Sequence, residues 1–242
     1  MITSQEKERY LRQIAIEGFG EKGQESLSRA RVLVAGAGGL GCAVCTYLAA
    51  AGVGALRVVD RGEVELSNLN RQVLYGTEDI GKAKAPTLQA RLRDVNPGVG
   101  YETFHEVITA ESVSGMLEGM DLVVDALDNL PTRYVLNKAC LDARLPLVHG
   151  AVHGFQGQAM TVIPGRGPCL MCLFGGIGHT GLIPVLGTAP GIVGCIQATE
   201  AIKILTGLGT PLLGRLLLID GLEMRIAEVE VARNPSCPHC GG

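Results

Sequence analysis

The chain has 242 residues, of which 47% are hydrophobic, and its formal net charge is −3. This length suffices for one large α/β domain, and no run approaches the roughly 18 to 20 uncharged apolar residues of a membrane helix. A negative net charge without clustered Lys and Arg predicts no nucleic-acid partner. The polar, charged start MITSQEKERYLRQ is unlike a secretory signal, so we expect a cytoplasmic protein without a membrane contact.

The first predicted elements are an outer helix and a buried strand. Residues 3–17 open with Thr3 and Glu6 at capping-box spacing and carry apolar residues in a helical rhythm. The run RVLVA at 31–35 is short, β-branched and nearly free of charge, which is typical of a strand buried on both faces of a parallel sheet. Glycines follow this strand directly.

Strand-then-helix order repeats through the first half of the chain. Strands are predicted at 55–60, 101–107, 121–126 and 146–150, with helices near 82–94, 110–119 and 131–143. This alternation predicts an α/β fold with a Rossmann-like, doubly wound and mainly parallel sheet. Such sheets bind ligands beyond the carboxyl ends of their strands, so we expect the chemistry to lie there.

The composition changes after residue 150. Strands are predicted at 156–163, 216–220 and 224–231, and an apolar-striped helix at 193–205. Residues 165–190 are rich in Gly and Pro, and the part at 175–190 is expected to form a lid. We expect the later strands to extend the same sheet in antiparallel orientation, because no linker separates the two halves.

A glycine motif marks the turn between the first strand and the next helix. Gly36, Gly38, Gly39 and Gly41 form a G-x-G-x-x-G-like pattern, which brings backbone N–H groups and a helix N-terminus to a phosphate. Asp60 ends the second strand, where a carboxylate can accept hydrogen bonds from ribose hydroxyls. By themselves these features also fit an NAD site or a purely structural tight turn.

Polar and cationic residues after the second strand favour ATP over NAD. The predicted nucleotide-binding residues here are Ser67, Asn68, Asn70, Arg71 and Lys84. Displacement at the α-phosphate of ATP develops charge on oxygens that Arg and Lys can stabilise, whereas NAD needs little positive charge beyond its pyrophosphate turn. The alternative is that Arg71 and Lys84 are solvated surface charges.

Asp128 and Asn129 follow another predicted central strand and face the same crevice. A carboxylate at this position can hold Mg²⁺ that bridges the phosphates, since Mg²⁺ prefers hard oxygen ligands. The alternative is that Asp128 only caps the helix near 131–143. A P-loop of the G-x-x-x-x-G-K-[ST] form is absent from the sequence.

Two C-x-x-C pairs predict a structural zinc site. The four predicted ligands are Cys169, Cys172, Cys237 and Cys240. Together they offer the four thiolates of a closed tetrahedral site, provided that the fold returns the C-terminal pair to the first one. A redox dithiol and unrelated thiols are the alternatives, but neither pair lies in the βαβ context of redox motifs.

The other cysteines and the histidines are assigned to packing. Cys42, Cys45 and Cys140 lie on predicted buried helix faces, where a free Cys behaves as a small hydrophobe. Cys195 is expected near the start of a helix, where a dipole can activate a thiol; we assign it to packing and keep activation as the alternative. The histidines without ligand spacing are His105, His149, His153 and His179.

Taken in order, the motifs resemble the ThiF/MoeB/HesA family of prokaryotic adenylyltransferases, relatives of the ubiquitin-activating enzymes, and MoeB-type enzymes most of all. The segments that carry the resemblance are RYLRQI, GAGGLG, LRVVD, SNLNRQ, GKAKA, DALDN, GCIQATEAIK and the two CxxC pairs. The resemblance implies ATP-dependent adenylation of the C-terminal glycine carboxylate of a ubiquitin-like sulfur-carrier protein ending in Gly-Gly. Pyrophosphate is released, and thiocarboxylate formation follows.

The resemblance also implies roles for single residues and for the two halves. Gly39 is expected to line the nucleotide, Asp60 to hold the ribose, and Asn68, Arg71 and Lys84 to attend the phosphates, with Asp128 at Mg²⁺ and Arg12 reaching across a homodimer into the neighbouring site. We expect a single domain over 1–242. Its nucleotide-binding half covers about 1–150, and its zinc-binding, lid and carrier-docking half about 151–242.

One departure from the family pattern concerns sulfur transfer. Some relatives carry a cysteine before the helix that contains QATEAIK and form a covalent link to the carrier, but the stretch GHTGLIPVLGTAP has none. We therefore expect adenylation without an obligatory thioester, with a separate persulfide donor and no fused sulfurtransferase domain. The competing hypotheses are adenylation of a peptide or modified tRNA base, an NAD-dependent oxidoreductase, and a non-catalytic docking protein.

Overall fold

The computed structural model describes residues 2–175 and 184–241. His179 and residues 176–183, half of the predicted lid at 175–190, lie outside the described residues. Within the described ranges, no helix has the length and apolar character needed to cross a membrane.

One eight-stranded sheet runs through both halves of the chain. Its strands are β1 (Arg31–Ala35), β2 (Ala55–Val59), β3 (Gly100–Phe104), β4 (Leu122–Asp125), β5 (Leu147–His153), β6 (Gln156–Val162), β7 (Arg215–Asp220) and β8 (Arg225–Glu230). Their spatial order is β3-β2-β1-β4-β5-β6-β7-β8. The first five strands pair in parallel, and β5 to β8 pair antiparallel. The predicted doubly wound sheet with an antiparallel extension is confirmed.

Helices cover both faces of the sheet. They are α1 (Ser4–Arg9), α2 (Leu11–Ile14), α3 (Gly20–Arg29), α4 (Gly39–Ala51), α5 (Lys84–Val95), α6 (Val113–Leu117), α7 (Leu130–Asp142), α8 (Leu170–Phe174) and α9 (Thr188–Thr206). Helices α4, α5 and α9 bury their apolar residues in the core on one face, and α6, α7 and α8 in the core on the other. The strand order reverses between β1 and β4, which places a ligand crevice at their carboxyl ends.

The prediction of one continuous helix over residues 3–17 is wrong. The capping box of Thr3 and Glu6 is present, but the helix ends at Tyr10 and a second short helix follows. The Tyr10 ring is 7% exposed and lies so close to Gly52 that a Cβ there would be 2.4 Å from it. Its hydroxyl also accepts a hydrogen bond from Asn96 Nδ2 at 2.8 Å. These tertiary contacts outweigh the helical pattern.

Two other helices differ from the prediction. The helix expected near 110–119 is limited to α6, because the hydroxyls of Thr109 and Ser112 bond to neighbouring backbone groups before it begins. Helix α9 begins at Thr188, five residues before its predicted start. Cys195 is therefore in the third turn of the helix rather than at its N-terminus, so the alternative of activation by the helix dipole has no structural basis.

Candidate functional site

A cleft of about 610 Å³ opens at the carboxyl ends of β1, β2, β4 and β5. The predicted site residues that line it are Gly36, Gly38, Gly39, Asp60, Arg71, Lys84, Asp128 and Asn129. Predicted residues outside its lining, within the described part of the chain, are Arg12, Gly41, Ser67, Asn68 and Asn70. The cleft thus joins a glycine turn, two cations and an acidic loop from separate parts of the sequence.

The glycine turn is held tightly against the end of β4. Gly36 has a φ of 104°, and a Cβ on it would lie 2.5 Å from the Ala126 carbonyl oxygen. A Cβ on Gly41 would lie 2.0 Å from the Gly36 oxygen, so neither position can carry a side chain. Gly41 therefore shapes the turn from behind the cleft. The N-terminus of the 13-residue helix α4 begins at Gly39 and meets the cleft, as an anion-binding helix end does.

The Asp60 carboxylate fixes the backbone around the cleft. Its Oδ2 accepts a hydrogen bond from the Ala37 N–H at 2.7 Å, and its Oδ1 accepts one from Gly62 at 2.6 Å. A Cβ on Gly62 would be 3.0 Å from Asp60 Oδ1 and 3.4 Å from Lys84 Nζ. The carboxylate and the ammonium therefore flank the same glycine, and each carboxylate oxygen keeps a lone pair for a further donor.

Arg71 is held by the loop that precedes it. Its guanidinium donates to the Ser67 carbonyl oxygen at 2.8 Å and to Asn70 Oδ1 at 2.9 Å. Asn68 is 6% exposed, and its Oδ1 accepts a hydrogen bond from the Glu65 N–H. In this arrangement Ser67, Asn68 and Asn70 shape and orient the loop, and Arg71 is the member of the group that reaches the cleft.

The loop after β4 separates the roles of Asp128 and Asn129. Asn129 is the N-cap of α7, and its Oδ1 accepts a hydrogen bond from the Thr132 N–H at 3.0 Å. The alternative in which Asp128 caps this helix is therefore wrong. Asp128 is exposed on the cleft wall, where its carboxylate accepts a hydrogen bond from Asn129 Nδ2 at 3.3 Å. A hard cation at the phosphates fits this oxygen donor.

Gln72 and Arg133 are two polar residues of the cleft lining that were not among the predicted site residues. Gln72 is 4% exposed, and its buried Oε1 has no hydrogen-bond partner among the described residues. A buried polar atom without a partner is uncommon and points to a ligand or a water beside it. Arg133 is 6% exposed and lines the same cleft from helix α7. The position of Gln72 directly after Arg71 could have identified it as a cleft residue. The sequence gives no such signal for Arg133, which resembles any other cation on a helix.

The four predicted metal ligands come together on the face of the sheet that α6, α7 and α8 cover. The sulfur atoms of Cys169, Cys172, Cys237 and Cys240 lie within 4.8 Å of one another. Two pairs of sulfurs are 3.7 and 3.5 Å apart, too far for the roughly 2.05 Å bond of a disulfide. A tetrahedron with Zn–S bonds of about 2.3 Å has edges of about 3.8 Å. The cluster therefore fits zinc in size and in donor type.

Asn137 joins both cysteine pairs to helix α7. This side chain is fully buried, and its Oδ1 accepts a hydrogen bond from the Leu170 N–H at 3.0 Å. Its Nδ2 lies 2.9 Å from Nδ1 of His239, and because an amide nitrogen only donates, the imidazole nitrogen accepts. The pairs are thus fixed to the helix whose N-terminus forms the cleft wall.

The chain was compared with known protein families and solved structures. The model of the ThiF family matches residues 10–239. A "Sulfur carrier protein adenylyltransferase" of Thermus thermophilus is 47% identical over 99% of this chain and 92% of its own length. A "SAMP-activating enzyme E1" of Haloferax volcanii is 46% identical over 99% of this chain and 91% of its own length.

Solved structures agree in fold. The crystal structure of E. coli MccB superimposes with a TM-score of 0.87, at 22% identity, over 100% of this chain and 74% of that one. At this identity the likeness supports the architecture alone. The family match over almost the whole sequence, together with the glycine turn, the cationic loop and the acidic loop in one cleft, leads to one conclusion: the chain belongs to the ThiF family.

Proposed function

We propose that the chain uses ATP and Mg²⁺ to adenylate the C-terminal glycine carboxylate of a ubiquitin-like sulfur-carrier protein. The observation that carries this proposal is the convergence of a helix N-terminus, Arg71, Lys84 and Asp128 in one cleft. The names of the two relatives, a sulfur carrier protein adenylyltransferase and a SAMP-activating enzyme, support a protein carrier as the substrate.

The chemistry proposed is attack of a carboxylate on the α-phosphorus of ATP. One carboxylate oxygen forms a bond to phosphorus, and the bond from that phosphorus to the bridging oxygen breaks, so that pyrophosphate leaves with the electron pair. A carboxylate is ionised near neutral pH, so no general base is required. The main obstacle is repulsion between two anions, which fixed cations relieve while the cleft holds the reactants in line.

The proposed roles follow from position in the cleft. Arg71 and Lys84 neutralise the phosphate oxygens, and Asp60 holds the ribose with lone pairs that its two backbone donors leave available. Asn68 acts on the phosphate site indirectly: its Oδ1 accepts a hydrogen bond from the Glu65 N–H and so holds the loop that carries Arg71. Asp128 would hold Mg²⁺, which when bound draws charge from the phosphate oxygens. The helix α4 N-terminus at Gly39 completes the anion site.

Zinc has a structural role in this proposal. The four cysteines would hold the ion and link residues 169–172 to residues 237–240 against α7. A closed four-thiolate site leaves no coordination position for a substrate. Sulfur would come from a separate persulfide donor, because Cys195 lies within α9 and outside the cleft lining. A Cys195→Ala variant is therefore expected to retain both adenylation and thiocarboxylate formation.

We also propose that the enzyme acts as a homodimer. Arg12 is exposed on helix α2 and does not line the cleft of its own chain. A second copy that brings Arg12 to the neighbouring cleft would add a further cation to the phosphate site. An active monomer in sedimentation experiments would rule out this role.

Exchange of labelled pyrophosphate into ATP tests the proposed function. With purified enzyme, Mg²⁺ and a carrier ending in Gly-Gly, we expect exchange that requires the carrier and disappears when its two terminal glycines are removed. Exchange driven by a free peptide or a modified tRNA base would instead identify a different carboxylate substrate. No exchange with any of these, together with binding of NADH, would favour an oxidoreductase.

A further inference from the structure

A buried charged cluster lies under the cleft and has no role in the chemistry described so far. Asp125, the last residue of β4, and His149 on β5 are both fully buried. Arg133 on α7 is 6% exposed, and its Nε lies 3.3 Å from Asp125 Oδ2. Buried charges are costly unless they are paired, so the presence of this cluster requires an explanation.

The hydrogen bonds of the cluster fix the state of each member. His149 Nδ1 lies 2.7 Å from Asp125 Oδ2, and a carboxylate only accepts, so Nδ1 carries the proton. Burial lowers the pKa of His149, which keeps the ring neutral and makes Nε2 an acceptor for Gln158 Nε2 at 3.3 Å. Burial alone would raise the pKa of Asp125, but Arg133 and His149 outweigh this effect and lower it.

The cluster holds both backbone groups of Leu127. Asp125 Oδ1 accepts a hydrogen bond from the Leu127 N–H at 3.1 Å, and Arg133 donates to the Leu127 carbonyl oxygen. The same guanidinium donates to the Gly150 carbonyl oxygen at 2.9 Å on the neighbouring strand. Leu127 immediately precedes Asp128, so the bonds from Asp125 Oδ1 and from the Arg133 guanidinium to backbone groups end on the loop that carries this carboxylate or on the neighbouring strand β5.

We propose that Gln158, His149, Asp125 and Arg133 form a positioning relay, which sets the loop 126–129 so that Asp128 faces a metal ion at the nucleotide phosphates. Asp125, His149 and Gln158 lie outside the cleft lining, and Arg133 contributes to the relay through the bonds that it makes to backbone carbonyl oxygens. A carboxylate ligand to Mg²⁺ needs near-ideal geometry, and loss of a group that orients such a ligand typically lowers metal affinity by about 10-fold to 100-fold. This inference rests on the proposed function, since it assigns the supports of the metal ligand used there.

The primary test is His149→Phe, which keeps a ring against Phe174 but removes both relay hydrogen bonds of the imidazole. We expect ATP binding in the presence of Mg²⁺ to weaken about tenfold or more. ATP binding in EDTA should change less than twofold, because the relay acts on the metal ligand. In the chain without nucleotide, hydrogen exchange at the Leu127 amide should become faster.

Three further variants complete the test. His149→Asn keeps a donor near the position of Nδ1 and should recover most of the Mg²⁺-dependent affinity, which filling space alone would not do. Gln158→Leu lies at the partly buried outer end of the relay and provides a milder variant if His149→Phe is unstable. The matched control is Asp121→Asn, at the opposite end of the β4 segment, where the carboxylate accepts a hydrogen bond from the Arg31 N–H.

The outcomes separate the relay from the proposed function. If the wild type binds Mg²⁺–ATP and the folded variants His149→Phe and Gln158→Leu bind it equally well, the relay is overturned. The proposed function is unaffected by that result. Equal weakening with and without Mg²⁺ would also overturn it, since this would show a purely structural role. A wild-type chain that binds no ATP would end the proposed function, and the metal-positioning role would end with it.

Discussion

Two lysines separated by one residue have different environments. Lys84 lines the cleft, whereas Lys82 is exposed and its Nζ donates to Asp79 at 2.9 Å. Lys84→Ala is expected to lower pyrophosphate exchange by about 100-fold or more, because a preorganised charge at the phosphates is lost. Lys82→Ala is the matched control and should stay within about twofold of wild type. Equal losses in both variants would show that Lys84 has no special contact with the nucleotide.

Burial of one thiol gives a prediction about alkaline pH. Burial raises the pKa of Cys42 to about 12, and its ordinary value in an unfolded chain is about 9. Because the folded state keeps this proton longer, its contribution to stability is complete below pH 9 and declines as pH rises toward 12. Above pH 9, the free energy of unfolding should fall less steeply with pH in Cys42→Ala than in the wild type. The difference between the two slopes should be at most about 1.4 kcal/mol per pH unit. Parallel curves for the two proteins, each saturated with zinc, would contradict this expectation.

The cleft residues that were predicted from the sequence belong to motifs next to predicted strands or helices. Asp60, Arg71, Lys84 and Asp128 follow strands or open a helix, so the strand pattern alone directs them to one edge of the sheet. The partners of Asp125 could not be predicted in this way. His149 and Arg133 come from a different strand and a helix, and only the register of β4 with β5 brings them together.

At the scale of elements, α7 links the two sites. Its N-cap lies at the cleft, and Asn137, two turns further along, holds both cysteine pairs. In Asn137→Ala the buried Leu170 N–H loses its acceptor, so we expect zinc to be lost to a chelator about 10-fold to 100-fold faster.

Lys138→Ala is the control for this prediction on the exposed face of the same helix, where the lysine pairs only with Asp142 among the ion pairs of the described residues. This variant should release zinc at the wild-type rate. An unchanged rate in Asn137→Ala, measured on protein with one zinc per chain, would show that the cysteines alone hold the ion.

The strands were easier to predict than the first helices. The runs RVLVA and LVVD are fully apolar except at their ends, because β1 and β4 are buried on both faces. Helix α3 was not predicted, since GEKGQESLSR is polar and contains two glycines. Its position depends on a distant partner: Gln24 Nε2 donates to the Ala51 carbonyl oxygen at 3.0 Å, and Gln13 donates to the same oxygen. Such contacts leave no periodic signal in the sequence.

At the scale of the whole molecule, the sheet connects the two halves of the chain, and the zinc site links two distant segments of the second half. Strands β5 and β6 pair over seven residues, which joins the nucleotide half to the zinc half within one sheet. The cysteine pairs form a second link between residues 68 positions apart in sequence. We retain the proposal of one domain over 1–242 on this basis.

Removal of the metal tests the second link. Chelation, or Cys237→Ser, should lower the Tm by on the order of 10 °C, because the folded chain loses the free energy of binding zinc between residues 169–172 and 237–240. Cys195→Ser, outside the cluster, is the control and should stay within about 2 °C of wild type. If chelation removes zinc without a change in Tm, the site does not stabilise the fold.

The most direct measurement of the central claim follows the oxygen atoms of the carrier. A carrier whose C-terminal carboxylate bears a heavy-oxygen label is incubated with enzyme, ATP, Mg²⁺ and a sulfur nucleophile, and the nucleotide products are analysed by mass. Attack of that carboxylate on the α-phosphorus predicts AMP containing one labelled oxygen, with unlabelled pyrophosphate. Unlabelled AMP, or ADP as the main product, would show that the cleft does not join the carrier to the α-phosphate.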